Sequence, residues 1–155
     1  MKFQKAVACL ALVGLMAGVT AWAAEEGKID LEKIKCAVAP SKAANPEKFV
    51  EFKKGKVFFC CDGCKGKFGK DTEKFATKAQ HQLVATKQYK QKACPFSGGD
   101  VNPEKTTKVG GVEVGFCCGN CLAKAEKAEG DEQVEMIFGA KSFEKGFELA
   151  KADKE

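Results

Sequence analysis

Eight cysteines fall into two sets of four with nearly the same spacing. Cys60-Cys61-Asp62-Gly63-Cys64 returns as Cys117-Cys118-Gly119-Asn120-Cys121, and each cluster follows a lone upstream cysteine, Cys36 or Cys94. Thiolates are the preferred ligands of zinc and of soft ions such as copper(I), in tetrahedral or lower coordination. A Cys-x-x-x-Cys or Cys-x-x-Cys knuckle supplies two sulfurs from one tight turn, and a cysteine on a preceding loop supplies a third. Cys36, Cys60 and Cys64 fit that plan, as do Cys94, Cys117 and Cys121. Cys61 and Cys118 are harder to place, because neighbours on an extended strand point to opposite faces. Either three thiolates bind, leaving an open position or a two-coordinate ion, or the turn bends and Cys61 and Cys118 become fourth ligands.

Two other chemistries compete. In an oxidising compartment eight cysteines could close four disulfides and staple a structural or interaction protein. The knuckle-like spacing argues against this, as does the poor geometry of a bond between adjacent cysteines. Residues 61–64 and 118–121 also carry the bare Cys-x-x-Cys redox pattern, but without a β-α-β context. His81, the only histidine, stands between two glutamines and reads as a surface or packing residue. Asp71 and Glu73 read as helix-start residues, not a catalytic pair. No phosphate loop, nucleophile motif or acidic metal cluster is visible, so a non-enzymatic protein is expected.

The cysteines ride on a repeat of about 57 residues. Asn-Pro-Glu-Lys stands at residues 45–48 and again at 102–105, 15 residues from its Asn to the cluster in both copies. Upstream the spacing is 9 residues from Cys36 to Asn45 and 8 from Cys94 to Asn102. In copy one, residues 36–47 read as a loop broken by Pro40, Asn45 and Pro46. Residues 49–52, a Lys-Lys-Gly turn and residues 56–59 predict a β-hairpin running into Cys60. Phe68, Phe75 and Ala79 share one face of a predicted helix after Cys64, and residues 81–86 read as a short returning strand.

Copy two repeats the hairpin over residues 105–109 and 112–116 around Gly110-Gly111. A helix over residues 122–129 follows, then a strand over 134–138. Phe143, Phe147 and Ala150 form the apolar stripe of a closing helix. The expected fold class is α+β, with two small tandem modules, residues 36–90 and 91–155. Each is a β-hairpin with a cysteine knuckle followed by a helix. Helices starting at Cys64 and Cys121 would lower those thiol pKa values through the helix dipole, with Lys65, Lys67 and Lys124 adding positive potential.

Residues 1–23 read as a removable export signal: Lys2 and Lys5, an apolar stretch over 6–19, and the small-x-small site Ala21-Trp22-Ala23. The apolar stretch is interrupted by small residues and lacks a stop-transfer flank, so a membrane span is not expected. Residues 24–35 form a charged lead-in. Cleavage would remove Cys9 and the only Trp, and lower the formal charge from +5 to about +3, with 24 lysines against 21 acidic residues. Every basic residue is Lys. Phosphate and base recognition favour Arg, so nucleic-acid binding is not expected. Modules of about 55–65 residues hold only a marginal apolar core, and a metal or disulfides usually complete it.

The run Val57-Phe58-Phe59-Cys60-Cys61-Asp62-Gly63-Cys64-Lys65-Gly66-Lys67-Phe68, followed by Asp71-Thr72-Glu73-Lys74-Phe75, resembles the second half of a YHS domain. Residues 95–104 (Pro-Phe-Ser-Gly-Gly-Asp-Val-Asn-Pro-Glu) are similar to the first half. YHS and the related TRASH domains are treble-clef-like metal modules associated with heavy-metal sensing, chaperoning and transport. The resemblance covers most of the mature chain as two imperfect copies and implies Cys60 with Cys64, and by repeat Cys117 with Cys121, as ligand pairs. Two departures stand out. Ser97 takes the place of the pattern's first cysteine, with Cys94 three residues earlier, and Ala125 stands where copy one has Phe68.

The expectation is thus an exported, periplasmic or secreted protein that binds zinc or copper(I) at two thiolate sites. Its role would be buffering, delivery or structural stabilisation. Its partners would be the ion itself and another metal-handling protein.

Overall fold

The computed structural model describes residues 29–150. The export signal and the first part of the lead-in lie outside the described residues. Each copy opens on the same hairpin. Strands β1 (Asn45–Phe52) and β2 (Gly55–Phe59) pair antiparallel, as do β4 (Asn102–Val109) and β5 (Val112–Phe116). Both pairings slip register in the four residues after the leading Asn. There the Asn45 Oδ1 accepts from the Glu47 N–H at 2.8 Å, and Asn102 Oδ1 from the Glu104 N–H at 2.9 Å. The repeated Asn-Pro-Glu is therefore a local turn that sets where regular pairing begins.

Phe52 pairs with Gly55 and Val109 with Val112, leaving two residues in each loop. Such loops need positive φ at both positions to match strand twist. Gly110 and Gly111 meet this at 56° and 87°, whereas copy one forces Lys53 and Lys54 to 49° and 64°.

After β2 come α1 (Asp62–Lys70), α2 (Thr72–Ala85) and β3 (Tyr89–Gln91). After β5 come α3 (Gly119–Glu126), α4 (Gly130–Phe138), α5 (Ala140–Gly146) and β6 (Phe147–Leu149). The protein is α+β, with each cysteine cluster joining a hairpin to a helix.

Several local readings are corrected. The helix predicted after Cys64 is two helices, broken at Asp71, whose side chain accepts from the Lys74 N–H and caps the second. Residues 81–85 continue α2 instead of forming a strand. The stripe of Phe75 and Ala79 runs on to Leu83, and the intervening Gln80-His81-Gln82 breaks the apolar pattern only because these side chains are polar. Residues 134–138 are helical, in α4, where Asp131 and Glu132 occupy the favourable first turn; a short apolar run does not separate strand from helix by itself. The closing helix stops at Gly146, and Phe147–Leu149 is a strand.

That last strand ties the copies together. β6 pairs antiparallel with β3, matching Tyr89 to Leu149, Lys90 to Glu148 and Gln91 to Phe147. α2 packs on α4, where His81 and Phe138, 57 residues apart, meet edge to face at 4.9 Å. The buried cluster is continuous, with Phe59, Phe68 and Leu83 of copy one joining Phe116, Ile137 and Phe138 of copy two. Two units too small for a good core alone thus share one.

The outer edge of each second strand is closed by side-chain amides. Gln82 accepts from the Phe58 N–H at 2.6 Å and donates to the Phe58 carbonyl at 2.9 Å and the Lys35 carbonyl at 2.8 Å. Gln88 does the same to Lys56 at 2.6 and 2.8 Å, and Gln91 to Gly115 at 2.8 and 2.6 Å. A glutamine amide offers one donor face and one acceptor, so at Lys56, Phe58 and Gly115 it stands in for a neighbouring strand.

Candidate metal centres

β2 runs into Cys60, the chain turns at Cys61, and α1 carries Cys64 on its first turn. Cys36 arrives on the preceding loop. Its N–H donates to the Lys42 carbonyl at 2.9 Å, and Lys35 bridges to Ala43. Gln82 fixes this loop to β2 by holding both the Lys35 and Phe58 carbonyls. In copy two, Cys94 sits in a tighter turn. Its N–H donates to Gly99 and its carbonyl accepts from Gly98, both at 2.8 Å.

The result is two sulfur triads. The sulfurs of Cys36, Cys60 and Cys64 lie within 4.8 Å of one another, as do those of Cys94, Cys117 and Cys121. Cys60 and Cys64 sulfurs are 3.6 Å apart, and those of Cys117 and Cys121 3.7 Å. Four sulfurs at zinc–sulfur distances of about 2.3 Å stand about 3.8 Å apart in a tetrahedron. A disulfide bond would need about 2.05 Å. The eight described cysteines are all free thiols. Each triad could therefore hold a soft metal ion.

Cys61 and Cys118 stand outside these mutual triads, exposed, with their sulfurs 3.7 Å from those of Cys60 and Cys117. Each occupies the residue just before its helix, in extended conformation. The helices begin at Asp62 and Gly119, two residues before Cys64 and Cys121. The dipole benefit expected at Cys64 and Cys121 consequently falls on Cys61 and Cys118. The N–H of Cys64 lowers the Cys61 thiol and that of Cys121 lowers the Cys118 thiol, without closing a capping hydrogen bond in either case. Cys64 and Cys121 move the other way, to about 12, through loss of water contact and the neighbouring sulfurs.

The loop cysteines complete the charge pattern. Burial alone would raise the Cys36 thiol, but N–H groups of Cys60, Ala39 and Val38 aim at it and bring it below the ordinary value. Cys94 is likewise resisted by burial yet brought down to about 6 by Ser97 and by N–H groups of Cys117 and Phe96. In each triad the loop thiol is thus shifted toward the thiolate and the helix thiol away from it. Binding an ion would displace the remaining protons.

The surrounding side chains include some that the sequence reading passed over. Ser97 joins its hydroxyl to the Cys117 thiol at 3.1 Å and accepts from the Gly99 N–H at 3.1 Å. Phe96 stacks on Phe116 at 5.6 Å, with the Lys124 ammonium 4.9 Å above its ring. In copy one Phe68 of α1 fills that role against Phe59, at 5.2 Å. Gln82 and Gln91 left a weak trace, as polar residues inside or beside apolar patterns. His81 is not among the grouped ligands of either triad. Burial lowers its pKa, and its Nε2 meets the Gly110 carbonyl at 3.1 Å, so that nitrogen carries the proton. It is a packing residue between the copies. No protein-family model, curated protein or solved structure matches the chain.

Proposed function

We propose that the protein is a non-enzymatic zinc or copper(I) binder with one thiolate site in each copy. The observation that carries this reading is the close sulfur triad, found twice at a spacing suited to one ion and free of disulfides. Cys36, Cys60 and Cys64 would ligate in copy one, and Cys94, Cys117 and Cys121 in copy two, with Cys61 and Cys118 as auxiliary thiols beside the triads. The likeness of the knuckle and its flanks to YHS and TRASH domains supports the same reading, as does the order of hairpin, knuckle and helix. Export to the periplasm or exterior belongs to this proposal and rests on residues 1–23. Among the described residues no helix is long and apolar enough to cross a membrane.

Buffering or delivery is favoured over a purely structural ion, because every triad has an exposed thiol beside it. The test is metal content by native mass spectrometry. Cys64→Ser should lose one ion per chain and Cys64→Ser/Cys121→Ser both. Unchanged content in either variant would contradict the assignment.

A further inference from the structure

We infer that Cys61 and Cys118 are landing ligands, the first thiols to take an ion from a thiolate-bearing donor before it passes inward to the triad. This rests on the metal-binding reading above and adds a route and a class of partner to it.

The geometry is graded in depth. Cys36 and Cys94 are closed off, at 1% and 0% exposure. Cys60, Cys64, Cys117 and Cys121 are half-buried, and Cys61 and Cys118 are exposed. A large donor reaches the outer thiols first. Each outer sulfur is 3.7 Å from the next one inward, a separation that a single ion can bridge. An ion caught on Cys61 can therefore bond Cys60 before it leaves Cys61.

Small residues keep the mouth clear. A Cβ added at Gly119, next to Cys118, would have no heavy atom within 4 Å. At Gly63 the nearest atom would be the Cys61 sulfur itself, at 3.8 Å. Both copies keep this arrangement although the residues between their cysteines differ, Asp62-Gly63 against Gly119-Asn120.

The step is a ligand exchange without electron transfer. A bond from the ion to a donor thiolate breaks as a bond to the Cys61 sulfur forms. The proton from the Cys61 thiol goes to the departing donor thiolate. Bonds to Cys60, Cys64 and Cys36 then form in turn as the remaining donor thiolate and finally Cys61 let go; each thiol proton displaced goes to a departing donor thiolate, to the Cys61 sulfur or to solvent, and the ion keeps its oxidation state. The partner is a protein or small molecule that holds the ion through thiolates.

The test loads the full metal-free chain with zinc presented as its complex with a small dithiol, followed by time-resolved native mass spectrometry. Wild type should load two ions. Cys61→Ser/Cys118→Ser should also reach two at saturating zinc, but about tenfold more slowly, since capture no longer holds the ion beside the triad. Reaching two ions shows in itself that the variant folds. Equal loading rates would overturn the inference and leave the binding reading intact. A variant that cannot reach two ions would also overturn it, marking Cys61 and Cys118 as closed structural ligands. Failure of wild type to bind zinc from any source would remove the binding reading itself for this ion.

Discussion

The two cysteine sites share a backbone and differ in almost everything packed around it. In copy one the loop cysteine's sulfur receives the Ala39 N–H at 3.4 Å, the aromatic on the last strand residue is Phe68 from α1, and Gln82 from α2 closes the strand edge. In copy two, Ser97 reaches the sulfurs, the aromatic is Phe96 from the loop, and the edge is closed by Gln91 of β3. Position 139, which matches Gln82 in the repeat, is a glycine whose added Cβ would lie 2.5 Å from the Glu135 carbonyl oxygen. The helix–sulfur spacing is nonetheless 3.6 Å in one site and 3.7 Å in the other. The hairpin-to-helix path sets the triad, and the supporting side chains can be exchanged as long as each strand edge is sealed and each core filled.

The sharpest way to break that comparison is to remove the strand seals. Gln82→Ala should cost about 3 kcal/mol in urea unfolding, because it strands the buried Phe58 N–H, leaves the Phe58 carbonyl only the Ala37 N–H at 3.5 Å and frees the Lys35 carbonyl. Gln91→Ala, which removes a half-buried amide from buried Gly115, should cost about 1–2 kcal/mol. Gln82→Ala should also weaken metal binding in copy one alone, since it releases the Cys36 loop. Equal losses at the two sites would remove the distinction.

The contact between copies should titrate. His81 is held neutral, with a pKa lowered from 6.5 by burial. The unfolded chain binds the proton first, so this residue's contribution to stability is full above pH 6.5 and is lost as pH falls below it. In chemical denaturation followed against pH, His81→Gln should flatten that part of the profile. A profile identical to wild type would contradict the assignment.

The hairpin loops give a smaller effect of opposite sign. Lys54 holds φ at 64°, where copy two has a glycine. Lys54→Gly should therefore stabilise the chain by about 1 kcal/mol in thermal unfolding. A loss would show that Lys54 contributes something beyond its backbone. Smallest in stability is Ser97→Ala, which should leave the melting temperature nearly unchanged but lower the reactivity of the copy-two thiols toward an alkylating reagent near neutral pH, because Ser97 favours the Cys94 thiolate, with copy one unaffected.

Much of this was legible in the residues. The repeat, both hairpins, the knuckles and the triad members follow from spacing, because turn chemistry and thiolate ligation are local. What the spacing hid was tertiary. Residues 81–85 look wrong for an amphipathic helix until Gln82 is seen as a surrogate strand and His81 as a wedge against copy two. Residues 134–138 carry an apolar run that fits strand or helix, and only packing on α2 decides between them. The direction of the Cys64 and Cys121 shifts also escaped, because it turns on burial and on the neighbouring sulfurs, which only the assembled site provides. The pairing of β3 with β6 has no sequence signal, since three-residue strands carry almost no periodicity.

The central claim is that the cysteine clusters hold metal and are not staples. Native mass spectrometry of the exported chain, purified without reductant or chelator, tests it most directly. The account predicts a mass above the reduced metal-free value by two ions, returning to that value on acid treatment. A mass about 8 Da below it, from four disulfides each losing two hydrogens, would contradict the account.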